Sequence, residues 1–400
     1  MARDFTIDTR QFISDFRQDV WEFGNLAWLF ALGDRILTAF SHGLPSAIDL
    51  IQVFTIALLA VCWLFLDPNS DQMAERIYST FQPNLPAPFK PVAPPTLEKL
   101  QRLGYQQTST WRGWNVHHTV IPNPRSPMPV IFVHGFGGSI GHWRQNMSAL
   151  SKYHSVYAID LLGFGASDKP DIDYSVDLWV DQLHVFWQTY VGKPVILVGN
   201  SIGSLVCSAT AAAHPEMVSG VAMISLPDTA SHHDAVPAIA RPILRGVQAI
   251  FLSPLLLYPL FYLLRQPWII RHWAGLAYAC KEAVTDELLE ILTKPAHERN
   301  SARAFGAILR AMTSPRFSPS VRSILSKIEM PSLLLWGKQD RMIPSASAKQ
   351  FLAYNPNLEI VELDNAGHCA HDECPERVNS ELLMWIQTKV LSAKSARIIR

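Results

Sequence analysis

The chain has 400 residues, and its 34 Lys and Arg balance 34 Asp and Glu, so the formal charge is zero. That balance excludes a dominant basic face for nucleic acid and a strongly acidic tail. Only 17% of residues are charged and 48% are hydrophobic, which excludes disorder over most of the length and points to membrane contact or an apolar ligand.

Residues 1–20 are polar and mixed in charge, and an aromatic-rich apolar stretch follows from Trp21 to Leu32. The run at 47–66, AIDLIQVFTIALLAVCWLFL, has 20 residues, with Asp49 and Gln52 near its start as its strongly polar members. Roughly 20 apolar residues cross a bilayer as a helix, so a membrane anchor or hairpin is expected here. A helix docked on the globular part is the alternative, because a charge inside a span is costly. Basic and acidic residues interleave on both sides, which leaves the orientation open. This N-terminal region extends over 1–82. Residues 83–95, PNLPAPFKPVAPP, place six prolines in 13 positions and read as a semi-rigid linker. The domain boundary is expected there, with a second domain over 96–390.

Beyond the linker, Gln106 to Val120 reads as two short strands around Arg112-Gly113. Apolar runs then recur: PVIFVHG at 129, SVYAIDLLG at 155, PVILVG at 194, VSGVAMISLPD at 218, PSLLLWG at 331 and LEIVELDNAGH at 358. They lack polar alternation and are separated by helical stretches. That pattern predicts an α/β class protein with a mostly parallel sheet covered on both faces by helices. The interval between the runs at 218 and 331 is too long for a loop in a compact sheet. It predicts an inserted helical lid over about 229–320. Phe251, Leu257, Tyr258, Phe261, Tyr262 and Trp268 in it offer apolar surface, and a long acyl or isoprenoid chain gains roughly 0.8 kcal/mol per buried CH₂. Pro254, Pro259, Arg265 and Pro267 break the apolar runs, so no second span is expected.

The chemistry concentrates on this frame. Gly199-Asn-Ser201-Ile-Gly203 matches G-x-S-x-G, follows an apolar strand and opens an alanine-rich helix up to Ala213. That strand–turn–helix context makes Ser201 a candidate nucleophile. A serine hydroxyl needs a base. His368, in DNAGHCAHDE after the last strand, is the candidate base, and Asp340, in WGKQD after the strand at 331, is the candidate orienting acid. His371 is the alternative base and Asp228 the alternative acid, the latter reading better as a solvated loop residue. His134-Gly-Phe-Gly-Gly138 ends the first parallel strand. Such a loop aims backbone N–H groups at an oxyanion, so Phe136 and Ile202 are the candidate oxyanion-hole donors. His134 itself reads as a satisfied turn residue. The five cysteines, Cys62, Cys207, Cys280, Cys369 and Cys374, suggest no disulfide framework and fit a reducing compartment. Cys369 and Cys374 lie beside His368 and His371 but match no zinc spacing. No metal or other cofactor is implied, and no nucleic-acid surface is read.

From about Thr96 to Lys389 the chain resembles the α/β-hydrolase superfamily, whose motif order HGFGG, LLGFGASDKP, GNSIG, WGKQD and AGH it follows. The resemblance implies that fold and a Ser201–Asp340–His368 triad. The segment YSVDLWVDQLHVFWQTYVGKPVILVGNSIGS and the ending AGHCAHDECPERVN resemble the pheophytinase group and the related chlorophyll dephytylases of plants and cyanobacteria. That likeness implies hydrolysis of a phytyl ester of pheophytin or chlorophyll. This chain has Ser204 where the group usually has a second glycine. Epoxide hydrolases and haloalkane dehalogenases share HGF and LLGFG but use an aspartate nucleophile, which Ser201 disfavours.

The expected function is therefore a serine hydrolase that cleaves the carboxylic ester of an apolar substrate through an acyl-enzyme. The alternatives are other triad chemistry (a C–C bond hydrolase, a cofactor-free haloperoxidase, an acyltransferase) or a lipid or terpenoid sensor on the same frame. The expected setting is an intracellular membrane, a thylakoid or plasma membrane if the source is photosynthetic. The sequence leaves the oligomeric state open.

Overall fold

A computed structural model of the protein describes residues 101–228, 252–345 and 348–393. The run at 47–66, the linker at 83–95 and the first part of the lid lie outside them. Among the described residues, no helix is long and apolar enough to cross a membrane.

Two strands, β1 (Tyr105–Trp111) and β2 (Trp114–Ile121), form the expected hairpin. Its two-residue turn needs positive φ at both positions, and Arg112 and Gly113 have φ of 50° and 85°. Six further strands follow: β3 (Val130–Val133), β4 (Val156–Ile159), β5 (Val195–Asn200), β6 (Val218–Ile224), β7 (Ser332–Gly337) and β8 (Leu358–Leu363). They join one sheet in the order β1-β2-β4-β3-β5-β6-β7-β8. The β1–β2 and β2–β4 pairs are antiparallel, and the others are parallel.

The apolar runs lack polar alternation because successive side chains feed two different cores. Ile131, Val133, Leu197, Met223 and Trp336 point to one face. That face is covered by helices α2 (Val176–Tyr190) and α3 (Ile202–Ala213), counted after α1 (Arg144–Leu150). Phe132, Ile196, Val198, Ile224 and Leu335 point to the other face and pack with α1 and the C-terminal helix. The last run departs from the expectation. Strand β8 carries Glu359 and Glu362 and is only partly buried, because it is the sheet's edge and has one neighbour.

Between β6 and β7 the chain forms α4 (Pro254–Leu264), α5 (Pro267–Ala277), α6 (Asp286–Ala296), α7 (Ser301–Met312) and the short α8 (Val321–Leu325). Proline opens both α4 and α5 at the first turn, where its missing N–H costs no hydrogen bond. The structure places helices where the sequence predicts a lid. After β7 come α9 (Ala348–Phe351), α10 (Ala370–Glu373) and α11 (Pro375–Trp385).

Strand order reverses around β3. The chain runs from β3 outward to β4 and then returns to the other side as β5, opening a crevice at the carboxyl ends of the strands. Register pairs Val133 with Gly199, so the loop after β3 and the turn after β5 leave the sheet side by side. The fit is tight. A Cβ on Gly203 would lie 2.2 Å from the Val133 carbonyl oxygen and 2.5 Å from that of His134. Gly203→Ala must push α3 off β3, and a loss of about 3 kcal/mol or more is expected. Gly275 is the control: nothing lies within 4 Å of a Cβ there, and Gly275→Ala on α5 should gain about 0.5–1 kcal/mol. Urea titration of both variants checks the contrast.

Candidate active site

Ser201 sits between β5 and α3 with φ 53° and ψ −121°. A non-glycine residue held at positive φ after a strand is the strained turn that an exposed nucleophile needs. The strain is fixed by backbone on both sides: the Ser201 N–H donates to the Ile224 carbonyl (2.9 Å), and the Leu205 N–H donates to the Ser201 carbonyl (3.1 Å). Ser204 has its own use here. Its buried hydroxyl lies 2.7 Å from the Gly199 carbonyl and accepts the Ile224 N–H (2.8 Å), tying β5 to β6 where a glycine would leave both without that bond.

Three elements hold His368. Its Nδ1 lies 2.9 Å from Asp340 Oδ2. Its own N–H donates to the Ala277 carbonyl at the end of α5 (2.7 Å). Its carbonyl accepts from Asn200 Nδ2 (3.0 Å), so the histidine loop is bound to the residue next to Ser201. Asp340 is fixed in turn, because its Oδ1 accepts the N–H groups of Met342 and Ile343, both at 2.9 Å. The β7 end presses on the same loop, since a Cβ on Gly337 would lie 2.3 Å from the carbonyls of Ala366 and Gly367. The structure thus brings Asp340 and His368 into contact. Their protonation logic is simple: with Nδ1–H donated to the carboxylate, Nε2 is left as the acceptor.

The alternative residues stand elsewhere. His371 is fully buried, its ring 4.2 Å from that of Trp143 and 4.5 Å from that of His142, and burial holds its pKa well below the ordinary histidine value. His134 is the satisfied turn residue the sequence suggests, with Nδ1 at 2.7 Å from the Gly135 carbonyl and Nε2 accepting the Leu161 N–H (3.1 Å). Asp228 lies partly buried in the loop after β6.

The loop that carries Phe136 packs directly on the turn at Asn200 and Ser201. It is closed by Gly138 N–H to the Gly135 carbonyl (3.1 Å). A Cβ on Gly135 would lie 2.8 Å from Asn200 Oδ1 and 3.3 Å from Ser201 Cβ, so only glycine lets this backbone approach. Ile202 begins α3, where the first N–H groups of a helix have no intrahelical acceptor and the dipole favours negative charge. Asp160, which sequence reasoning missed, anchors the loop. Its carboxylate accepts the N–H groups of Ile140 (2.7 Å) and Ala166 (2.9 Å). Burial is the largest influence and works against its charge, but His117 at 2.8 Å, His134 and the Ala166 N–H together hold the carboxyl below its usual range.

Two more residues escaped the sequence reading. Glu373 accepts the Gly367 N–H (2.7 Å) with one oxygen and the Cys280 N–H (2.5 Å) with the other. Tyr278, just past α5, donates its hydroxyl to Asp372 Oδ2 (2.8 Å) and lies 2.9 Å from His142 Nε2. Arg144 completes this buried group by donating to Asp372 Oδ1 (2.6 Å). Burial, opposed by Asp372, lowers the pKa of His142 to about 4, so the ring is neutral and its Nε2–H serves Tyr278. The end of the lid is therefore stitched to the histidine loop by backbone and side-chain bonds. Tyr278→Phe leaves Asp372 and His142 each short of a partner, which costs about 1–3 kcal/mol. It should also lower kcat more than it changes KM, because it disturbs the loop that positions His368. Thermal unfolding and steady-state kinetics read the two effects.

Of the lid side chains expected to face a substrate, the structure separates two groups. Leu257 and Phe261 are buried, and the Phe261 ring lies tilted 4.9 Å from that of Phe305, which lies 5.9 Å from Phe136. This aromatic line leads from the loop of Phe136 into the lid. Tyr262 and Trp268 are instead exposed, and Tyr262 meets the Phe261 ring edge-on at 6.3 Å. Among the described residues, the one cluster with three metal-ligating groups is His184, His214 and Glu216. The two imidazoles stack 3.7 Å apart at 10°, so their lone pairs run side by side and do not converge on one ion.

The profile of the Alpha/beta hydrolase family matches residues 130–381, more than half of the chain. Pheophytinase, chloroplastic, of Arabidopsis thaliana is 28% identical over 303 residues, 64% of this chain. The chain spans 61% of that relative's own length. A 2-hydroxy-6-oxo-6-(2'-aminophenyl)hexa-2,4-dienoic acid hydrolase of Metapseudomonas resinovorans is 25% identical over 275 residues, 67% of this chain and 87% of its own length. Among solved structures, a membrane phospholipase A described as a bacterial virulence factor superposes with a TM-score of 0.59 at 22% identity, covering 84% of this chain and 97% of that one.

Proposed function

The chain belongs to the alpha/beta hydrolase family, and from that premise we propose that it is a serine esterase acting on an apolar carboxylic ester. The observation that carries the reading is the contact of His368 Nδ1 with Asp340 Oδ2 at 2.9 Å, on a loop bound to Asn200 beside Ser201. In this mechanism Ser201 Oγ attacks the ester carbonyl while His368 Nε2 takes its proton. The N–H groups of Phe136 and Ile202 receive the oxyanion. His368 returns the proton to the alcohol as it leaves, giving an acyl-enzyme. Water, deprotonated by the same nitrogen, then releases the acid and restores Ser201.

The aromatic line of Phe136, Phe305 and Phe261 supports an apolar substrate. The 28% identity to a pheophytinase supports the phytyl ester of pheophytin or chlorophyll as that substrate. A second reading, cleavage of a C–C bond in a dienoic acid, is favoured by the relative that is 25% identical. A panel separates them: p-nitrophenyl esters of rising chain length, pheophytin a, chlorophyll a and a 2-hydroxy-6-oxo-dienoic acid, each with wild type and with Ser201→Ala. Ester cleavage rising with chain length, and phytol release by wild type alone, are expected. Turnover of the dienoic acid with no ester cleaved would move the assignment to the second reading. The run at 47–66 is proposed as a membrane anchor on an N-terminal region of 1–82, with the hydrolase domain from residue 96. Alkaline carbonate should leave the full chain on membranes and release a chain that begins at residue 96.

A further inference from the structure

The lid carries exposed apolar side chains as well as buried ones. Helices α4 and α5 expose Leu260 (46%), Tyr262 (42%), Leu263 (45%), Trp268 (53%) and Trp273 (43%). Elsewhere among the described residues, large exposed apolar side chains such as Tyr105, Tyr153 and Leu352 are dispersed along the chain. Single exposed apolar residues are ordinary, whereas five between Leu260 and Trp273, on two consecutive helices, point to an interaction surface.

Charge says what that surface meets. From Ala235 to Lys281 the sequence has no Asp or Glu, yet it holds Arg241, Arg245, Arg265, Arg271 and Lys281. The chain as a whole is balanced at 34 to 34, so this one-sided stretch is local. Arg241 and Arg245 lie outside the described residues. The Arg265 guanidinium lies 4.3 Å over the exposed Tyr262 ring, which keeps its charge beside the apolar group. Arg271 is partly spent on Asp286 and the Val284 carbonyl. Trp, Tyr and Leu interleaved with Arg is the composition of a helix lying in a membrane interface, where the rings sit at headgroup depth and arginine meets phosphate.

We propose that the outer face of α4 and α5 docks on an anionic lipid surface, with Leu260, Leu263 and Trp268 entering the acyl boundary and Arg265 meeting headgroup phosphates. What the docking delivers rests on the esterase reading. Phe261, on the inner side of α4, touches Phe305 in the aromatic line to Phe136. Helix α5 ends at Ala277, whose carbonyl holds the His368 N–H. One pair of helices therefore has lipid on its outer face and the candidate site on its inner face. An apolar ester passes from the bilayer to Ser201 without crossing bulk water.

The test uses the full chain and vesicles of phosphatidylcholine, alone or mixed with phosphatidylglycerol, with brominated acyl chains. The difference in tryptophan quenching between wild type and Trp268→Phe reads the insertion of this one ring. A difference that grows with phosphatidylglycerol and shrinks with salt is expected. No difference on either vesicle overturns the proposal, and it would fit a face covered by residues 1–100 or by a second copy instead. The second arm compares a long-chain ester carried in anionic vesicles with a short ester in water. The combined variant Leu260→Ser, Leu263→Ser, Trp268→Ser should lose at least about tenfold on the vesicle-borne ester and keep its rate on the soluble one. Equal rates on the vesicle-borne ester overturn the proposal. If the combined variant loses both rates through misfolding, the quenching arm decides. If wild type cleaves no ester at all, the esterase reading fails, and the quenching arm still reads the docking.

Discussion

Ser201→Ala is expected to lower kcat on any ester the protein cleaves by on the order of a millionfold, with little change in stability. The kinetic loss follows from removing the one atom that forms the acyl-enzyme. The small structural cost follows from local geometry. Ser201 caps α3 without a side-chain hydrogen bond, and its positive φ is imposed by the bonds of its own N–H and carbonyl to Ile224 and Leu205. Alanine inherits both. His368→Ala should fall nearly as far, because the serine is then left without its base, and the double variant should be no worse than either single one. Rates with one soluble ester and melting temperatures for the three variants check this.

Asp340→Asn is expected to lower kcat by about ten thousandfold near neutral pH. Asp340 Oδ1 accepts two backbone N–H groups, from Met342 and Ile343, at 2.9 Å each. An asparagine must turn its carbonyl oxygen to those two donors, since its NH₂ group would oppose them. The NH₂ is thereby aimed at His368 Nδ1, which the aspartate faces at 2.9 Å. A donor at that position forces the imidazole to place its proton on Nε2. That nitrogen then has no lone pair for the Ser201 proton. The loss should appear in kcat and leave KM almost unchanged, because the substitution keeps the side-chain shape and changes only the imidazole tautomer. Equal activity of Asp340→Asn and wild type would remove Asp340 from the mechanism.

The parts of this site that a sequence reveals are those coded within a few residues. Gly199 and Gly203 bracket Ser201 because a Cβ at either would strike backbone, at 2.3 Å for Gly199 and 2.2 Å for Gly203. That demand is local and shows as a motif. The parallel strands were legible for a similar reason, since Ile131, Phe132, Leu197 and Val198 alternate between two buried faces. Strand β8 was read as one more covered strand, and its edge position shows only in the sheet order. His371 stands as an alternative to His368 in the sequence because both follow the same strand three residues apart. Contact with Asp340 favours His368, and ring contacts with Trp143 and His142 occupy His371. Tyr278, Asp372, Glu373 and Asn200 could not be found by pattern, since their bonds join residues 94 apart for Tyr278 and Asp372 and 168 apart for Asn200 and His368. Nor does spacing separate the two faces of the lid. Helix α4, PLLLYPLFYLL, is apolar all round, so only packing tells inward Phe261 from outward Leu263.

The central claim is that Ser201, activated by His368, is the nucleophile. Its most direct test is reaction of the full chain with a fluorophosphonate, followed by intact mass and peptide mapping. One adduct on Ser201 is predicted, absent from Ser201→Ala and formed far more slowly in His368→Ala. An adduct on another residue, or equal labelling of Ser201→Ala, would contradict the account.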